Sequence, residues 1–197
     1  MVGASRGTGA EVVRQAVAAG HRVRAVSRST TPAADHVTPF ALDATDVAAL
    51  RTAIAGADAV VVTVGAGSTS RADVTRAVIE AMRAEGVRRV VAQSSYGVGD
   101  SYDSMPFVLK HVVSLLLRTA LADHAAQEAL LADSGLDWTV TRPGGLTTGA
   151  ATSVRLAPGD GSAGSLGRIS RADAATALLA AVADPSTIGH AYTIVGG

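Results

Sequence analysis

The sequence has no cysteine, no asparagine and a single lysine, Lys110, among 197 residues, and no excess of charge, with 17 basic against 17 acidic side chains. Without cysteine there are no disulfides, thiolate metal sites or thiol nucleophiles, and with no signal-like segment at the start the chain is expected in the reducing cytoplasm. Zero net charge withholds the surplus Lys and Arg by which nucleic acid or an anionic membrane is read, so neither is an expected partner. No apolar run reaches the roughly 18 uninterrupted residues that a membrane span requires. The longest near the middle, Phe107 to Leu121, is broken by Lys110, His111 and Arg118. The histidines His21, His36, His111, His124 and His190 are dispersed without metal-ligand spacing, so no metal is expected.

What is present is a regular alternation. Short, valine-rich apolar runs predict strands over Val23–Ser27, Val37–Leu42, Asp58–Val64, Arg89–Ser94, Asp137–Thr141 and Ala191–Val195. Helical periodicity fills the intervals Gly9–Ala19, Asp46–Ala55, Ser70–Glu85 and about Pro106–Ser134, closed in turn by Gly20, Gly56, Gly86 and Gly135. A last helix, Arg171–Ala183, opens at Ser170 with Asp173 three positions on and stops before Pro185. Strands alternating with helices imply a parallel sheet covered on both faces, a doubly wound α/β (Rossmann) fold, and nothing splits residues 1–197 into more than one domain. Small substrate-cleft elements are expected around residues 96–106 and 143–169. Residues 144–167 carry seven glycines and read as a loop or short hairpin, either part of that cleft or a plain solvent-exposed connection. Only Met1 and Val2 precede the first glycine, so the first strand is truncated or its start is missing.

The segment Gly3-Ala4-Ser5-Arg6-Gly7-Thr8-Gly9 leads into the first helix. Glycines there permit positive φ, close approach of a pyrophosphate to the main chain and tight packing of helix on strand, while the helix N-terminus faces the phosphates. A dinucleotide is the natural ligand. The loop lacks the Gly-Lys-Ser/Thr ending of a P-loop, which disfavours triphosphate hydrolysis. An acidic side chain about 20 residues on would hold the ribose of NAD, whereas arginine suits the extra phosphate of NADP. No Asp or Glu lies between Glu11 and Asp35, and the second strand ends Ser27-Arg28-Ser29, so Arg28 with Arg6 favours NADP(H). The alternative for Arg28 is a solvated strand-end charge. Asp43 and Ala44 end the third strand where an adenine edge would lie, although Asp43 also suits a helix cap. Val64 and Gly65 are small enough for the cofactor to lie flat across the sheet edge.

Together GASRGTG, SRS, LDATD, VVVTVGAG, VVAQSSYGVGD, LADHAAQEALLADSGLDWTVTRPGGL and the terminal AYTIVGG resemble the atypical short-chain dehydrogenase/reductases over nearly the whole chain. Within that group the chain is most similar to the NAD(P)H-binding proteins of the flavin reductase/biliverdin-IXβ reductase branch, with the NmrA-like sensors as neighbours. The resemblance implies a Rossmann domain that binds NADPH and passes hydride to flavins, quinones or other planar acceptors. The Tyr-x-x-x-Lys pair of the wider superfamily is missing, because Asp100, Pro106 and Gly196 stand four residues after Tyr96, Tyr102 and Tyr192.

Hydride transfer asks little of a protein beyond holding the nicotinamide against an acceptor, and a flavin or quinone can take its proton from solvent. Ser94 and Ser95 match the family's serine position beside the nicotinamide, with a turn cap as the plain alternative. Tyr96 offers stacking or a hydrogen bond to a planar substrate, or is a partly buried loop aromatic. His124, read at the front of a helical run, is a candidate proton donor titrating near neutrality, or a structural histidine. Pro143 and Gly144, in the Arg142-Pro143-Gly144-Gly145 turn that matches the family motif, would wall the nicotinamide. The apolar stripe Phe107, Val108, Val112, Val113, Leu115 and Leu116 suits a core or a dimer face better than a substrate tunnel, for a monomer or homodimer. The expected function is therefore an NADPH-dependent oxidoreductase acting on a flavin, quinone or similar planar acceptor. Its rival is a catalytically silent NADPH-binding redox sensor.

Overall fold

A computed structural model describes residues 1–29, 32–65, 69–103, 107–159 and 167–196, the side chains of 103–116 lying outside that description. The strands are β1 (Val23–Ser27), β2 (Val37–Ala41), β3 (Ala59–Val62), β4 (Arg89–Gln93), β5 (Asp137–Arg142), β6 (Leu146–Thr147), β7 (Val154–Pro158), β8 (Ile169–Ser170) and β9 (His190–Gly196). The helices are α1 (Gly7–Ala18), α2 (Val47–Ile54), α3 (Arg71–Ala84), α4 (Asp100–Asp103), α5 (Phe107–Ala132) and α6 (Arg171–Ala183).

Successive side chains of a strand point to opposite faces, so a strand that is apolar at every position must be covered on both sides. β3 and β4 show this directly. Val60, Val62, Val90 and Ala92 belong to one core with Leu50 of α2, Val78 and Met82 of α3 and Leu131 of α5. Val61 and Val91 belong to another with Val12 of α1 and Ala175 and Leu178 of α6. The two helix layers of the doubly wound fold follow from that alternation.

The strands run in the order β2-β1, then β3-β4-β5-β9-β7, with Val2 bridging β1 and β3 in parallel. On one side the Val2 amide donates to the Val61 carbonyl at 2.8 Å and Thr63 donates back to Val2 at 3.0 Å. On the other, Val26 donates to Met1 at 2.8 Å and Gly3 donates to Val26 at 3.0 Å. The central strand position is thus held by a few residues around Val2, fully paired on both edges. Among the described residues the strands pair in parallel except β7 with β9, and one isolated antiparallel bridge joins Ala34 and Val37.

The six expected strands all appear, their ends moved by no more than two residues. α1 starts at Gly7 rather than Gly9, and Gly20, Gly56, Gly86 and Gly135 after the helices all have positive φ, at 85°, 68°, 71° and 66°. Within the glycine-rich 144–167 stretch the chain forms β6 and a full edge strand, β7, which composition concealed. The stripe from Phe107 to Leu116 lies on α5, with its side chains outside the described residues. Among the described residues no helix is long and apolar enough to cross a membrane, and no group of three or more His, Asp or Glu is clustered for a metal.

Candidate active site

At Val2 the sheet order reverses, with β1 leading away on one side and β3 on the other. In an open parallel sheet the carboxyl ends part at this point and leave a crevice. A cavity of about 1020 Å³ opens there.

The glycine loop forms its floor. Gly3 has φ +88°, and a Cβ on it would stand 2.7 Å from the Thr63 carbonyl oxygen. A Cβ on Gly9 would stand 1.9 Å from the Gly3 carbonyl oxygen, so Gly9 is what lets α1 pack against the loop. Gly9 is buried behind the cavity, whereas Gly3, Ser5, Arg6, Gly7 and Thr8 line it. The helix starts differ in one respect. Asp46 caps α2 through the Ala49 amide, and Ser70 and Ser170 cap α3 and α6 through the amides of Asp73 and Asp173. α1 begins at Arg6 with no side-chain cap, and its first N–H groups are left for another partner.

Around the rim, Arg28 and Ser29 follow β1, Asp43 and Ala44 follow β2, and Val64 and Gly65 follow β3, and all six line the cavity. The Thr45 amide and hydroxyl donate to Asp43 at 2.9 and 2.8 Å and hold its carboxyl below the usual range. The helix cap that Asp43 also suited is made instead by Asp46.

The opposite end is built by β4 and β5. Beyond Gln93 the pairing continues, with the Ser94 amide on the Thr141 carbonyl at 2.8 Å and the Tyr96 amide on the Pro143 carbonyl at 2.9 Å. This brings Ser94, Ser95, Pro143 and Gly144 to one wall. Tyr96 does not join them: its side chain is buried, at 7% exposure, and lies outside the cavity lining. The burial matches the alternative of a buried loop aromatic, and Ser95, whose hydroxyl donates to the Tyr96 carbonyl at 3.1 Å, occupies the lining position. Arg142 also turns away, binding Glu128 through Nε at 3.1 Å and Nη2 at 2.6 Å and the Gly159 carbonyl through Nη1 at 3.0 Å.

His124 lines the cavity from the second half of α5, not from a helix start. Its neighbour Asp123 reaches across to α3, accepting from Ser70 Oγ at 2.5 Å, from the Arg71 and Ala72 amides at 2.9 and 3.2 Å, and from Arg71 Nη1 at 3.2 Å. Burial opposes ionisation of that carboxyl, but the hydrogen bonds outweigh it and hold Asp123 at about 2. Burial and the Arg71 guanidinium push His124 down to about 4. That lies below the near-neutral titration expected of a proton donor; a neutral imidazole offers one N–H and one lone pair.

The polar lining residues missed from sequence include Thr63, Thr69, Arg71, Gln93, Thr148 and Arg171, with Leu146 beside them. Thr63 and Gln93 lie at carboxyl ends of strands, and that rule alone would have found them. Buried polar atoms without partners gather here: Thr63 Oγ1, Arg71 Nε, Gln93 Oε1, Ser94 Oγ and His124 Nδ1 all belong to cavity-lining residues. Native interiors seldom leave such groups unpaired, and their concentration in residues that line one cavity is what a site that takes a polar ligand would show. The residues fit a dinucleotide: an uncapped helix start and close-packed glycines for the phosphates, guanidinium groups at one end, and unpaired polar atoms at the other.

Comparison with known proteins agrees with that fit. A family model described as NAD(P)H-binding matches residues 3–185. A search of curated proteins finds no match. Among solved structures, ChuY of Escherichia coli strain CFT073 superposes with a TM-score of 0.82 at 26% identity, covering 96% of this chain and 92% of that one. ChuY of E. coli O157:H7, described as an anaerobillin reductase, gives a TM-score of 0.82 at 26% identity over 98% and 94% of the two chains. A short-chain dehydrogenase/reductase of Veillonella parvula DSM 2008, solved in complex with NADP, shares the fold with a TM-score of 0.81 at 17% identity, over 100% and 92%.

Proposed function

The chain belongs to the NAD(P)H-binding family, and we propose that it is an NADPH-dependent reductase whose acceptor is a flavin, a quinone or a similar planar conjugated molecule. The observation that carries the reading is the pairing, in one cavity, of the uncapped start of α1 with the unpartnered polar atoms at the ends of β3 and β4. The first suits a pyrophosphate and the second the polar edge of a nicotinamide and its acceptor.

Each end has its own task. Gly3, Ser5, Gly7 and Thr8 cradle the pyrophosphate, with Gly9 holding α1 against them. Arg6 and Arg28, with Ser29, take the 2′-phosphate, and Asp43 and Ala44 border the adenine. Val64, Gly65, Pro143 and Gly144 wall the nicotinamide. Bound NADPH supplies the hydride. Ser94 and Ser95 donate hydrogen bonds to the acceptor or carboxamide, and the neutral imidazole of His124 offers one more. Lys110 is the chain's only lysine and stands four residues after none of the tyrosines, so no Tyr-x-x-x-Lys pair delivers a proton. An acceptor that draws its proton from solvent is what such a site can serve. ChuY of E. coli O157:H7, 26% identical, is described as a reductase of anaerobillin, and an open-chain tetrapyrrole is an extended conjugated acceptor of the same kind. The absence of cysteine fits work in the reducing cytoplasm.

The low position of His124, at about 4, with no other histidine among the described lining residues, also supports a second reading, an NADPH-occupancy sensor without turnover. Steady-state NADPH oxidation with FMN, a small quinone and an open-chain tetrapyrrole separates the two. NADPH-preferring turnover with any of them is the expected result. Tight NADPH binding with no oxidation across all three would transfer the assignment to the sensor.

A further inference from the structure

The tetrapeptide Ser-Arg-Ala-Asp occurs twice, at residues 70–73 and 170–173, and starts α3 on one face of the sheet and α6 on the other. In each copy the serine hydroxyl accepts from the aspartate amide, at 3.4 Å for Asp73 and 2.9 Å for Asp173. The arginine takes the first helical position, and both arginines line the cavity. A cation at a helix N-terminus opposes the macrodipole. Helix stability therefore does not explain either guanidinium.

Their surroundings assign them different work. Arg71 is neutralised by Asp123, with Nη1 to Oδ2 at 3.2 Å, and its charge helps keep His124 neutral. Arg171 has no acidic partner among the described residues, and its neighbour is the glycine loop. A methyl group placed on Gly7 would touch Arg171 Nε at 3.6 Å and Cδ at 3.7 Å. Gly7 is the first residue of α1, the helix start without a side-chain cap. The base of Arg171 is rigid, because Ser170 pairs with Thr147 and the Asp173 carboxylate accepts from the Thr152 amide at 2.6 Å and from Ser170 Oγ at 2.7 Å.

A guanidinium with no acidic partner among the described residues, beside uncapped helical amides, is the arrangement that a doubly charged phosphate linkage calls for. We propose that Arg171 is a pyrophosphate ligand, closing on the cofactor from α6 while the α1 amides hold it from the loop. The proposal rests on NAD(P)H occupying this cleft. It separates Arg171 from Arg6 and Arg28, which read the 2′-phosphate, because the pyrophosphate is common to NADPH and NADH.

The test is direct titration of NADPH and of NADH, by calorimetry or cofactor fluorescence, into wild type, Arg171→Ala and Arg171→Lys, with the melting temperature of each cofactor-free protein. Arg171→Ala should weaken both nucleotides by a similar factor, about ten- to a hundredfold for a lost charge-assisted contact. Arg171→Lys should fall between, since an ammonium keeps the charge and loses the fork. The cofactor-free variants should melt no lower than wild type, because Arg171 makes no ion pair among the described residues and its charge opposes the dipole. Unchanged affinities overturn the proposal alone. A loss confined to NADPH moves Arg171 to the 2′-phosphate, and a lowered melting temperature in both variants makes it a folding residue; each refutes the proposal. Wild-type protein that binds neither nucleotide refutes the cofactor reading and this proposal with it.

Discussion

Replacing Gly9 by alanine tests whether the loop's shape, and not its composition, makes the cofactor site. The new Cβ would lie 1.9 Å from the Gly3 carbonyl oxygen, 2.8 Å from the Gly3 carbonyl carbon and 2.8 Å from Thr63 Oγ1. Non-bonded carbon contacts are comfortable at about 3.5–4.0 Å, and the closest atoms here are backbone, so no side-chain rotation relieves the overlap. α1 must retreat from the loop. Overpacking of this kind costs about 1–3 kcal/mol, partly offset by the 0.5–1 kcal/mol or so that Ala gains over Gly inside a helix. For a chain of this size each kcal/mol moves the melting temperature by about 2–4 °C, so a fall of several degrees is expected. The same retreat withdraws the α1 amides from the phosphate, and NADPH affinity should drop by about tenfold or more, the value of one charge-assisted hydrogen bond. Gly20→Ala is the control. Gly20 also sits at the end of α1 and has φ +85° with nothing within 4 Å. It should cost about 1–2 kcal/mol of backbone strain and leave NADPH affinity unchanged. Thermal melting by circular dichroism and an NADPH titration read both quantities. Gly9→Ala with wild-type melting and wild-type affinity would refute the geometry of the loop.

Other consequences follow from the buried charges. The unfolded chain protonates His124 from about pH 6.5, whereas the folded chain resists until about 4; acid between these values favours unfolding, and stability should fall by about 3 kcal/mol across that window while staying level above it. His124→Gln should flatten the fall in urea midpoints between pH 7 and pH 4, and an unaltered slope would contradict the neutral imidazole. Asp123 titrates outside this window, its contribution being lost only as pH drops from the usual carboxylate range toward about 2. Glu128→Ala strands the Arg142 guanidinium, whose side chain is 6% exposed, and should cost about 3–5 kcal/mol. The double variant Glu128→Ala, Arg142→Met should recover much of that in urea unfolding, and failure to recover would mean that the pair is not what the site's neighbours depend on.

The fold was largely legible because a parallel sheet buried on both faces writes itself as continuous apolar runs, as in Ala59–Val62, and because helix ends need positive φ, supplied by Gly20, Gly56, Gly86 and Gly135. β7 was hidden because it is an antiparallel edge strand whose partner, β9, lies some forty residues on, and because glycines crowd its neighbourhood. Within the site, the local part was readable: the loop, Arg28 and the strand-end residues come from short spacings. What long-range packing brings in was not. Arg71 and Arg171 enter from helices on opposite faces, and Tyr96 is buried beside the wall that its amide helps to build. His124 took its low pKa from burial and from a guanidinium 53 residues away in sequence, which no local pattern records.

The most direct test of the cleft as an NADPH site is a paired titration of NADPH and NADH into wild type and Arg28→Asp. NADPH should bind the wild type more tightly than NADH, and the variant should lose NADPH by about a hundredfold, a charge-assisted contact replaced by repulsion, while NADH changes only a few-fold. Equal losses for both nucleotides, or equal affinities in the wild type, would contradict the account.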